Sequence, residues 1–94
     1  MKKVILYTMK GCPHCDEAKQ KLRKERIRFI ERDIHKFEKE YDLFVEAKDN
    51  EYIPSFMLMT INKDKVTSNV VLMAPDDDFE ELEDAIEKVK QYLK

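Results

Sequence analysis

The chain has 94 residues, enough for one small domain, and its 18 basic and 20 acidic side chains leave a formal charge of −2. So balanced a surface excludes a dedicated nucleic-acid binder, which shows a basic face. No apolar run is long enough to cross a bilayer, so no membrane partner is expected.

Val4 to Met9 is a continuous β-prone run, as in a central strand covered on both faces. Met1-Lys2-Lys3 before it has the look of a secretion leader, but the apolar stretch is too short and Lys10 interrupts it. The expected compartment is therefore the cytoplasm, where structural disulfides are rare. Gly11, the only glycine, falls at the turn after this strand. Pro13 suits a first helical turn, and Asp16 and Glu17 follow where the helix dipole favours acids. Cys15, Ala18 and Leu22 recur at helical spacing to about Glu25.

Phe29 to Ile34 reads as a second strand, with His35 as a structural residue at the junction after it. A second helix is expected over Lys36–Ala47, with Phe37, Tyr41, Phe44 and Val45 on one face. Residues 48–51 are a polar loop, and Tyr52-Ile53-Pro54-Ser55 leads into a third strand, Phe56–Ile61. Asn62-Lys63-Asp64 turns into a fourth, Lys65–Met73. Asp76, Asp77 and Asp78 are expected to open the last helix, with Asp77/Glu80 or Asp78/Glu81 as a capping box. Phe79, Leu82, Ile86, Val89 and Leu93 form its apolar stripe, and Met57, Met59 and Met73 read as core. The order is βαβ followed by ββα, a single domain over 1–94. The crossover calls for a parallel pair and the short turn for an antiparallel one.

The chemistry lies in Cys12-Pro13-His14-Cys15. Two thiols three apart at a helix entrance suit thiol–disulfide exchange. Exchange needs a thiolate, and lowering a cysteine pKa from about 8.5 to about 6 takes roughly 3.4 kcal/mol. A helix dipole supplies about 0.3–1 kcal/mol, so free first-turn N–H groups must add to it. Lys10 and His14 offer positive charge or a donor, while Asp16 and Glu17 oppose it. Cys12, ahead of the helix, is the expected attacking thiol. Cys15, on the buried stripe, is the expected resolving thiol. Helical positions three apart have Cβ atoms about 5–6 Å apart, whereas a disulfide wants about 3.5–4.5 Å, so the entrance is expected to tighten. A different reading is a metal module: two cysteines and His14 are possible ligands, and copper metallochaperones also set CxxC after a first strand, with a methionine such as Met9 nearby. Their order, βαββαβ, ends in a strand, and this one ends in a helix. No metal site is therefore assigned. A dimer bridging an iron–sulfur cluster through Cys12 is a third reading.

The whole chain resembles the glutaredoxins. The carriers are Tyr7-Thr8, Cys12-Pro13-His14-Cys15, Ile53-Pro54 and the acids before the last apolar stripe. The resemblance implies an α/β, thioredoxin-like fold, a central four-stranded mixed sheet flanked by three helices. It implies a dithiol oxidoreductase that reduces protein or mixed disulfides. It implies that Pro54 is cis and lies beside the disulfide, that Ile53 pairs its backbone with the substrate, and that Asp77 and Asp78 help hold glutathione. The family's glycine pair is met here by Met73-Ala74-Pro75, and its lysine before the motif by Met9, with Lys10 one place on. His14 stands where tyrosine is common, and Cys-Pro-His-Cys is also similar to the motif of strongly oxidising periplasmic oxidases. Plain readings stand beside these: an exposed, permissive His14, a strand-entry Pro54 and a helix-capping Asp run. No bound cofactor is implied. The reductant would be glutathione, another small thiol, or a flavin-dependent reductase, the partners disulfide-containing proteins, and the protein a monomer.

Overall fold

Alternation along the first strand decides which helix packs where. Strand β1 spans Lys2–Thr8, and successive side chains on a strand point to opposite faces. Val4 and Leu6 enter one core, Ile5 and Tyr7 the other. In this computed structural model, which describes residues 1–64 and 67–94, β1 is followed by α1 (Pro13–Lys24), β2 (Ile30–Asp33), α2 (Glu38–Lys48), β3 (Ser55–Ile61), β4 (Thr67–Met73) and α3 (Leu82–Leu93). Lys65 and Val66, the expected start of β4, lie outside the described residues.

The sheet order is β2-β1-β3-β4. β1 runs parallel to β2, while β1–β3 and β3–β4 are antiparallel. The four-stranded mixed sheet and three helices match the sequence-based expectation. On one face Val4, Leu6, Phe56 and Leu58 pack with Ala18 and Leu22 of α1 and Ala85, Ile86 and Val89 of α3. On the other, Ile5 and Tyr7 pack with Tyr41 and Phe44 of α2. Among the described residues, no helix is long and apolar enough to cross a membrane.

Three expectations need correction. Phe37 stays 40% exposed, because it precedes α2 as its cap and lies against the Arg32 guanidinium at 4.9 Å. The Asp run does not open α3, which starts four residues after Asp78. Its cap is Glu81, with no side-chain cap bond, so neither capping box forms. The acids are drawn elsewhere: Asp78 accepts from the Ala74 N–H (2.8 Å) and pairs with Lys48 (2.8 Å). Phe79 is buried as expected, but in the turn ahead of α3.

Candidate active site

Gly11 turns the chain from β1 toward α1 at φ 80°. A side chain there would meet nothing within 4 Å, so the backbone angle and not space demands glycine. Cys12 is the cap of α1, extended at φ −96°, ψ 108°, with Pro13 in the first turn. Its Sγ accepts the Cys15 N–H at 3.1 Å. That is one of the orphan first-turn donors, aimed at the sulfur. Cys12 and Cys15 are joined as a disulfide, with Cα atoms 5.2 Å apart. That separation is ordinary for a disulfide. The pair closes with Cys12 extended at the cap and Cys15 in the first turn of α1. Cys15 is 1% exposed and Cys12 9%, so the second sulfur lies behind the first.

The charges near the pair are largely balanced. Asp16 pairs with Lys19 (3.3 Å), and Glu17 with Lys21 (3.8 Å). The acids expected to oppose a thiolate are thus offset within their own helix. His14 is 77% exposed, its Nδ1 3.8 Å from Glu17. Lys10 is exposed on the turn. Below the motif, the Thr8 hydroxyl donates to Glu31 (2.8 Å), and Glu31 pairs with Lys19 (3.1 Å). Burial pushes the Glu31 carboxyl up, but Thr8 and Lys19 outweigh it and hold it below its usual range. On the opposite face Tyr7 donates to Glu40 (2.8 Å), which also pairs with Arg32. Burial, then Glu40, pushes the Tyr7 hydroxyl far above its ordinary value.

The third strand supplies the other half of the site. The Ile53–Pro54 peptide is cis. Tyr7 pairs with Ser55, so the next step of that antiparallel register leads buried Pro54 toward the end of β1, where the chain turns to Cys12. Ile53 is half-buried on the α2-side core. Asp77 and Asp78 belong to the loop facing residues 49–52 across a groove of about 420 Å³. Both carboxylates are engaged within the protein: Asp77 accepts from the Asn50 amide (3.0 Å), Asp78 from Ala74 and Lys48.

The glutaredoxin family model matches residues 4–55. The chain belongs to the glutaredoxin family. Family and CxxC pair together are those of a thiol–disulfide oxidoreductase in general. Two solved structures share the fold, the thioredoxin-like protein BC3987 and its T8A mutant. The mutant is 22% identical, with 98% of this chain and 100% of that one covered and a TM-score of 0.58. The unmutated protein is 22% identical, with 96% and 99% covered and a TM-score of 0.57. No curated protein matches the chain.

Sequence reasoning missed Lys48, Asn50, Tyr41 and Ser55 as organisers of the site. Asn50 had a signal: an asparagine accepting from the N–H two residues on forms an Asx turn, as it does here with Tyr52 (2.9 Å). Lys48 had none, since its partner is thirty residues away.

Asp78 gives a pH prediction. Burial raises its carboxyl, but Lys48, the Ala74 N–H and nearby Lys88 outweigh that and hold it below the usual range. A lowered folded value stabilises above the unfolded pKa of about 3.9 and is lost as pH falls through the folded one. Asp78→Ala is expected to cost about 1–2 kcal/mol in urea unfolding at pH 7, and progressively less below about pH 4. A cost that does not change with pH would exclude the ion pair as its source.

Proposed function

We propose that the chain is a dithiol reductase of protein disulfides, with Cys12 attacking and Cys15 resolving. The observation that carries this is the Cys15 N–H bonded to Cys12 Sγ at the helix entrance, with Cys15 buried behind it. The same donor that meets Cys12 in the disulfide would meet its thiolate in the reduced form. The Cys12 thiolate attacks one sulfur of the substrate disulfide and expels the other as a thiolate. Cys15 loses its proton and attacks Cys12 Sγ, which releases the second substrate thiolate and closes the Cys12–Cys15 bond. Two electrons pass to the substrate, and the reductant returns two. Pro13 presets the first helical turn, and His14 and Lys10 tune the charge around Cys12. Ile53 and Pro54 receive the substrate backbone.

We assign the reductant to a flavin-dependent protein reductase and not to glutathione. Glutathione carries two carboxylates, and the groove between residues 49–52 and the 74–78 loop is lined by Asp49, Glu51, Asp76 and Asp77 as well as Val45, Asn50 and Tyr52. Three backbone donors of the 74–78 loop are also taken: Ala74 N–H by Asp78, Asp76 N–H by Phe79, and Asp78 N–H by Ala74. Pro75 has none to give. The working form is a cytoplasmic monomer with no bound metal or cofactor.

The reduced protein is expected to lose one thiol to iodoacetamide with a pH midpoint clearly below about 8.5, the ordinary cysteine value. Turnover is expected with a thioredoxin-type flavin reductase and to be near background with glutathione and its reductase. Two thiols titrating like free cysteine would end the oxidoreductase reading, and efficient glutathione turnover would reverse the choice of reductant.

A further inference from the structure

Three hydrogen bonds hold the loop that presents Ile53, and none of them uses Ile53 itself. The Tyr41 hydroxyl donates to the Glu51 carbonyl (2.8 Å), the Ser55 hydroxyl to the Tyr52 carbonyl (2.6 Å), and the Tyr52 N–H to Asn50 Oδ1 (2.9 Å). Among the described residues, the Ile53 N–H and carbonyl have no hydrogen-bond partner. Asn50 uses the rest of its amide on the opposite loop, donating from Nδ2 to the Pro75 carbonyl (2.8 Å) and to Asp77 Oδ2 (3.0 Å). Its orientation is forced: a flipped amide would set oxygen against a carbonyl and a carboxylate. That second loop is in turn held to α2 by Lys48 and Asp78.

We propose that Asn50 is a positioning residue. It clamps the Ile53 loop to the 74–78 loop and so fixes the open backbone edge on which a protein disulfide docks. This rests on the oxidoreductase reading above. Aspartate has the acceptor but no donors, and alanine has neither. A small disulfide needs only Cys12 and has no backbone to pair, so the clamp governs protein substrates alone.

The test compares insulin with bis(2-hydroxyethyl) disulfide as substrates. Asn50→Ala is expected to raise KM for insulin about tenfold with kcat held within about twofold, and to leave the small disulfide unaffected. Asn50→Asp, which turns a carboxylate on Asp77 and the Pro75 carbonyl, is expected to do at least as much. The double variant Asn50→Asp with Asp77→Asn restores one donor across the groove and is expected to recover most of the loss. An unchanged KM in Asn50→Ala, an equal loss of kcat on both substrates, or a double variant no better than Asn50→Asp overturns the proposal. Hydrogen exchange at the Asp76 and Asp78 amides, which are bonded within the loop on the far side of the clamp, separates the clamp from the activity. If the unmutated protein reduces neither disulfide, the oxidoreductase reading fails. Exchange faster in Asn50→Asp and slowed again in the double variant then still upholds the clamp, and unchanged exchange overturns it.

Discussion

Cys15→Ser is expected to accumulate a covalent adduct with a protein disulfide substrate, and Cys12→Ser to abolish turnover without forming one. The asymmetry follows from burial and bonding. Cys12 is the sulfur at the helix entrance, met by the Cys15 N–H at 3.1 Å. Cys15 is 1% exposed, so a protein sulfur reaches it only through Cys12. Serine at 15 keeps the backbone donor that favours a Cys12 thiolate but removes the group that resolves the mixed disulfide. Serine at 12 removes the attacking atom, and the residual rate should equal that of the uncatalysed exchange. Non-reducing electrophoresis and mass spectrometry of the two variants, incubated with oxidised insulin, make the comparison. An adduct in Cys12→Ser and none in Cys15→Ser would reverse the two roles.

The second large effect is on stability. Phe56→Ala is expected to cost about 3–5 kcal/mol, as large-to-small changes of buried aromatics do. A domain of this size has on the order of 5–15 kcal/mol in total, so the loss is a large share. Phe56 is fully buried in the central strand β3 and meets Phe79 edge-on, with ring centroids 5.7 Å apart. Phe79 in turn seats the loop that ends at α3. Truncating Phe56 removes packing from the strand behind Pro54 and from that loop together. Urea unfolding followed by circular dichroism measures it. A loss under about 1 kcal/mol would mean that the neighbours collapse into the space, and that Phe79 does not depend on Phe56.

The fold was legible where the causes are local. The apolar run from Val4 marks a central strand because both faces are covered. Cys15, Ala18 and Leu22 mark α1 because all three are buried on one stripe. The reactive pair was legible for the same reason: its residues are adjacent and its helix entrance is set by Pro13. What was not legible depends on partners far away in sequence. The three aspartates look like a helix start from their neighbours alone. Lys48 and the Ala74 N–H draw Asp78 into a turn, and the helix begins later. Phe37 looks like core from its spacing with Tyr41, and the Arg32 guanidinium from another element holds it at the surface. Tyr7 was legible as buried, but not its bond to Glu40, which spans thirty-three residues. Periodicity reports which face is buried. It does not report which polar group waits there.

The two cores lie on opposite faces of one sheet, and each supports a different half of the site. The helix that carries Cys15 rests on the face with α3, while Ile53 rests on the face with Tyr41 and Phe44. On the proposed function, electron transfer and partner choice therefore have separate foundations. Sequence drift beneath α2 would then retune which proteins are recognised while the sulfur chemistry above α1 carries on undisturbed, a division that would let one small scaffold serve changing clients.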